Sequence, residues 1–177
     1  FAGALRQNFF NLCRRIIKMA DENKIQGRNW IHVLGTCDFN TVVGLTALQR
    51  AINRHVNDKL RISYDTSSPF RMLAYGLVYR ALNFDRNSMS LSSVRLPNDR
   101  KLVGSRVRFP WSSPIGDRLR LGDIYVRQGS NLKTYRDSQA ECYIANHNLA
   151  ALCYAVAAAN RIFDSEQLIK MHTVSED

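Results

Sequence analysis

The sequence predicts an α/β chain whose first half alternates helix and strand in the order that builds a parallel sheet. Three observations carry that prediction. Apolar residues recur at helical spacing, then in short strands, then at helical spacing again through residues 4–82. Residues 83–136 lose helical period and become basic and irregular. A nearly unbroken small and apolar run, Leu149 to Ala159, then predicts a C-terminal helix buried on most sides.

Taken in order, residues 4–20 carry Leu5, Phe9, Leu12, Ile16 and Ala20 at spacings of three and four, with Arg14, Arg15 and Lys18 between them. That is an amphipathic helix. A polar loop containing Gly27 follows. Trp30-Ile-His-Val-Leu-Gly reads as a buried strand that Gly35 ends. His32, inside it, reads as a satisfied core histidine without chemistry. Asp38 and Asn40 are candidate caps for a helix from about Thr41 to Val56, with Val42, Leu45, Leu48, Ile52 and Val56 on one face. Asn57 and Asp58 end it.

In residues 60–71, Leu60, Ile62 and Tyr64 alternate with Arg61, Ser63 and Asp65, the period of a short strand. Small polar residues stop it. Pro69 suits the first helical position, with Ser68 as cap, and the spacing of Leu73, Leu77 and Ala81 predicts a helix reaching Leu82. An acid at the carboxyl end of a strand, before a helix, is where α/β proteins commonly place chemistry. Asp65 therefore has two readings: a turn cap, or a functional carboxylate.

Between Arg95 and Arg136 stand ten Lys or Arg against three Asp, interleaved with Phe109, Trp111, Tyr125 and Tyr135. Cations serve phosphates and rings serve unstacked bases, so this section suits a nucleic-acid strand; the alternative is an irregular solvated surface. Gly122 to Gln128 reads as one short strand in it. His147 opens the last structured section, Asp164 with Gln167 resembles a capping box for a short final helix, and His172 to Asp177 read as frayed.

The net charge of +10 and a pI near 9.8 point to a polyanionic partner, nucleic acid before membrane, with a generic basic protein as the alternative. No run of eighteen apolar residues exists, and the opening residues lack the layout of a signal peptide. They also lack an initiator Met, which suggests a piece of a longer chain. Cys13, Cys37, Cys142 and Cys153 form no C-x-x-C pair and read as reduced, mostly buried thiols of a cytoplasmic protein.

The section from Trp30 to Arg71, with His147-Asn148-Leu149, resembles the carboxyl-terminal part of tRNA-guanine transglycosylases and of their phage and bacterial relatives that place 7-deazaguanine bases in DNA. In that family a strand ending in Leu/Met-Gly precedes a helix, and the next strand ends in an aromatic residue, the nucleophilic Asp, three residues, Pro, one residue and Arg. Here these are Leu34-Gly35 and Tyr64-Asp65-Thr-Ser-Ser-Pro69-Phe-Arg71. The family's late His-Asn-Leu, which starts its C-terminal helix, matches His147, Asn148 and Leu149.

The resemblance implies the last strands and helices of a TIM-like (β/α)8 barrel, with a basic irregular insertion and C-terminal helices. The divisions expected are 1–85, 86–146 and 147–177. Two strands cannot close a barrel, so a missing barrel half or a partner subunit is implied. Asp65 would be the nucleophile of a guanine exchange, Gly35 and Tyr64 would flank the substrate pocket, and Arg71 would hold a phosphate or orient Asp65. Strand contacts fall on Arg100, Lys101, Arg106, Arg108, Trp111, Arg118, Arg120, Tyr125 and Arg127.

The family's zinc site uses three closely spaced cysteines and a later histidine. Here Cys142 lies five residues before His147 without a C-x-C-x-x-C cluster, so no cofactor is expected. The partners implied are DNA or tRNA and a 7-deazaguanine base, with DNA slightly favoured and no membrane. The alternatives are a non-catalytic nucleic-acid-binding subunit of such an enzyme and a basic genome-packing protein.

Overall fold

The computed structural model describes residues 9–35, 38–85, 88–127, 134–135 and 137–164. The chain divides into two compact units, Phe1–Ser67 with Val156–Asp177, and Ser68–Ala155.

The first unit contains α1 (Phe9–Asp21), β1 (Trp30–Val33), α2 (Phe39–His55) and β2 (Arg61–Tyr64). The strands pair in parallel, Trp30 opposite Arg61 through Val33 opposite Tyr64. Leu12, Ile16 and Ala20 of α1 and Val42, Leu45, Leu48 and Ile52 of α2 form the core with Ile31, Val33 and Leu60. These are the residues whose spacing predicted the elements. Removing them from water supplies the main driving force for this layer.

Gly44 permits the close approach of the two helices, because a Cβ there would collide with the Phe9 ring. Asp38 caps α2, its Oδ1 accepting from Thr41 N at 2.8 Å. Asn57 ends α2 by donating to the carbonyls of Ile25 (3.2 Å) and Arg28 (3.0 Å), tying the helix exit to the loop before β1. The start predicted for α1, with Leu5, lies outside the described residues.

The second unit contains α3 (Ser68–Ala74), the antiparallel pair β3 (Leu77–Asp85) and β4 (Ser88–Arg95), the 3-10 turns Arg100–Leu102, Gly116–Arg118 and Leu121–Asp123, the short pair β5 (Val126–Arg127) and β6 (Thr134–Tyr135), and most of α4 (Ser138–Asp164). Its core gathers Val78, Leu96, Phe109, Leu119, Ile124, Tyr125, Ala140 and Ile144.

The structure departs from five expectations. The helix expected to reach Leu82 ends at Ala74. Gly76 takes φ +67°, a left-handed turn that glycine adopts without strain, and the chain leaves it as β3. Where a strand was expected over Gly122 to Gln128, the described residues form a 3-10 turn, Leu121–Asp123, then buried Ile124 and Tyr125, and among them only Val126–Arg127 is extended.

The C-terminal helix does not begin at His147. It begins at Ser138, where Asp137 Oδ1 accepts from Ala140 N at 2.8 Å, and His147 and Asn148 lie mid-helix. Its burial is one-sided: Ala140, Ile144, Asn148, Leu152, Ala155 and Ala159 are buried, while Cys153 and Tyr154 are exposed. The thiols are correspondingly less buried than expected, with Cys142 also exposed and Cys13 half-buried. Asp164 ends α4 and holds Arg50 at 3.0 Å; the proposed capping box, the frayed tail and Cys37 fall outside the described residues.

Candidate active site at the carboxyl ends of the paired strands

Because β1 and β2 are parallel and in register, their carboxyl ends lie side by side. The residues that follow those ends meet. The backbone N–H of Gly35 donates to Oδ1 of Asp65 at 2.5 Å, across thirty positions of sequence. Gly35 has φ +82°, and a Cβ there would touch nothing, so the requirement for glycine is conformational rather than steric. Asp65 is exposed, and its second oxygen, Oδ2, has no protein partner among the described residues. A carboxylate with one oxygen pinned and the other open can act as an oriented nucleophile or a hydrogen-bond acceptor.

The two faces of the strand pair differ. Ile31 and Val33 are buried against the helices, with Ile62 and Tyr64 packed on the same core. Strand alternation puts Trp30, His32, Leu34, Ser63 and Asp65 on the opposite face. There Ser63 Oγ accepts from Trp30 Nε1 at 2.5 Å and lies 2.7 Å from His32 Nδ1. His32 is thus half-buried on an open face, not the satisfied core histidine expected. Tyr64 lines a cavity of about 150 Å³ on the helix side with Thr46, Gln49, Arg50 and Asn160, and Asn160 Oδ1 is buried there with no partner among the described residues.

Arg71 lies exposed on α3, in the other unit. In that unit Arg100 and Lys101 sit on a 3-10 turn whose cap, Asp99, accepts from Lys101 N at 2.9 Å. Arg106, Arg108, Arg118 and Arg120 are exposed, and among the described residues none of these six cations forms a salt bridge. Arg118 borders a cavity of about 630 Å³ with Ile115, Asp123, Asp137 and Tyr143. Trp111 is half-buried and packs edge-on against Phe109, ring centres 5.0 Å apart. Tyr125 is in the core, 4% exposed, with its hydroxyl donating to the Pro97 carbonyl at 2.7 Å, so its ring offers no platform for a base. Arg127 lies in β5.

His147 and Asn148 form a buried polar lock. Asn148 accepts from Tyr79 N at 2.9 Å and donates to the carbonyls of Pro69 (3.1 Å) and Leu77 (3.2 Å). His147 Nε2 bonds the Tyr79 carbonyl at 2.9 Å, and Nδ1 lies 2.8 Å from Ser113 Oγ, which accepts from Gly116 N at 2.7 Å. A carbonyl only accepts, so Nε2 carries the proton and Ser113 donates to Nδ1. Burial pushes the His147 imidazole below its ordinary value, which favours this neutral form. The motif positions backbone; it does not open a helix. Ser113 was not legible as its partner, because only the folded loop brings it to His147.

Among the described residues, no three His, Cys, Asp or Glu side chains converge as a metal site, and no helix is long and apolar enough to cross a membrane. Comparison with protein-family models, curated proteins and solved structures returns no match.

Proposed function

We propose that the chain is part of a nucleic-acid base-exchange transglycosylase that replaces guanine with a 7-deazaguanine, DNA being the slightly favoured acceptor over tRNA. The observation that carries this reading is the Gly35–Asp65 bond: the nucleophile expected from the family resemblance has one oxygen fixed and the other open, beside a second strand end. The (β/α)8 barrel belongs to the same proposal. A parallel pair with one open face needs covering strands and helices, which a missing barrel half or partner subunit would supply.

The chemistry has two displacements. Oδ2 of Asp65 bonds to the sugar C1′ as the C1′–N9 bond breaks, and the electron pair leaves with guanine, which takes up a proton at N9. The incoming base, losing its N9 proton, then attacks C1′ from the vacated face and expels the carboxylate. Configuration is retained, as with other double displacements at an anomeric carbon. C1′ is accessible once the target base has left the stack. The exposed cations of the second unit would bind the phosphate backbone.

The test is incorporation of labelled guanine into guanine-containing DNA and tRNA by the chain with any co-purifying partner. Exchange into one acceptor, lost in Asp65→Asn, supports the reading and selects that acceptor. Binding without exchange in either protein would favour the non-catalytic subunit.

A further inference from the structure

We infer that His32 recognises the exchanging base, donating from Nε2 to an acceptor atom of the base while Leu34 packs beneath the ring. This inference rests on the base-exchange reading and extends it to a residue that the sequence assigned no chemistry.

Trp30, Ser63 and His32 form one hydrogen-bond chain across the strand pair. The indole N–H of Trp30 can only donate, so Ser63 Oγ accepts it. His32 Nδ1 lies 2.7 Å from the same hydroxyl, whose one proton is free to point to it while a lone pair accepts the indole N–H, and the proposed site takes this arrangement, with Nδ1 as the acceptor. A neutral imidazole with an accepting Nδ1 carries its proton on Nε2. That N–H has no protein partner among the described residues and belongs to the face of the sheet that no described element covers. Arg61, opposite Trp30, turns its guanidinium back to the carbonyls of Asp58 (3.3 Å) and Leu60 (3.0 Å), so it does not compete for the same ligand.

His32 pairs with Ser63, and Asp65 lies two residues further along the same face. Two residues of strand span about 7 Å, comparable with the long dimension of a purine. Leu34, 42% exposed, stands between His32 and Gly35 on that face. With C1′ at Asp65 Oδ2, the ring would lie over Leu34 and present its far edge to His32. The site then holds a carboxylate for the sugar, an apolar floor for the ring and one N–H donor for the base.

The experiment measures guanine exchange by His32→Phe, His32→Gln and Ser63→Ala, varying free guanine and nucleic acid separately. The expected result for His32→Phe is a KM for guanine raised about tenfold, the scale of one lost hydrogen bond, with the KM for nucleic acid unchanged. His32→Gln, which restores an N–H donor, recovers part of the loss. Ser63→Ala, which frees Nδ1, shows in a long-range proton–nitrogen spectrum a His32 no longer held as the Nε2–H tautomer, and its guanine KM rises by less. A role in packing alone would shift the thermal midpoint without moving the guanine KM. Exchange by the wild type with a guanine KM unaltered in His32→Phe overturns this inference and leaves the base-exchange reading standing. No exchange by the wild type overturns that reading and this inference with it.

Discussion

Gly35 and Asp65 are thirty residues apart in the chain and joined by a 2.5 Å hydrogen bond, because parallel pairing of β1 with β2 brings both strand ends to one level. The bond depends on backbone shape as much as on the acid. At φ +82° an alanine is strained by about 1 kcal/mol, and relief of that strain would turn the N–H away from the carboxylate. Gly35→Ala should therefore lose about 1 kcal/mol in a urea titration and lose exchange by more than that stability change accounts for. Unaltered exchange would detach the Gly35 amide from the chemistry.

Asn148 satisfies three backbone groups at once, the Tyr79 N–H and the carbonyls of Pro69 and Leu77. Asn148→Ala leaves all three groups, two buried and one part-buried, without that partner and should cost about 3 kcal/mol, read as a lower urea midpoint with the slope unchanged. A cost under about 1 kcal/mol would mean that water replaces the amide.

His147 makes stability depend on pH with a defined sign. Its folded value is lowered, so the unfolded chain binds the proton more readily. The contribution is complete above the ordinary imidazole value, about 6.5, and is lost as pH falls from there through the lowered folded value. Urea midpoints at pH 8 and pH 5 should therefore differ more for the wild type than for His147→Gln. Equal differences would remove His147 as the source.

The cations of the second unit should act through phosphates. Charge removal at Arg100, Lys101, Arg106 and Arg118 should weaken binding to all sequences alike. It should also flatten the plot of log affinity against log salt by about 0.7–0.9 for each phosphate no longer neutralised. Weakening confined to particular sequences would point to base readout by these residues instead.

The first unit was legible because its signals are local. The stripe through Leu12, Ile16 and Ala20 and the alternation of Ile62 and Tyr64 with Ser63 and Asp65 each specify an element without knowledge of its neighbours. The second unit was less legible for two reasons. Leu73, Leu77 and Ala81 satisfy a helical count across Gly76, and the serines around Met89 and Leu91 mute the alternation of β4, so a hairpin passed for helix and loop.

The match of His147-Asn148-Leu149 to the family's late motif likewise suggested a helix start. In the fold, buried backbone groups absorb His147 and Asn148 within α4. Asp65 was visible from its place at a strand end. The Trp30–Ser63–His32 chain was not, since it depends on cross-strand register that a one-residue slip would abolish.

The most direct measurement is the intact mass of the chain, with any co-purifying partner, after incubation with guanine-containing DNA or tRNA followed by denaturation and nuclease digestion. The account predicts a covalent nucleotide adduct mapped to the peptide containing Asp65 and absent from Asp65→Asn, whose side-chain oxygen can still accept from Gly35 N–H. An adduct on another residue, or one that persists in Asp65→Asn, would contradict Asp65 as the nucleophile. Absence of any adduct under conditions that support base exchange would contradict the double displacement itself.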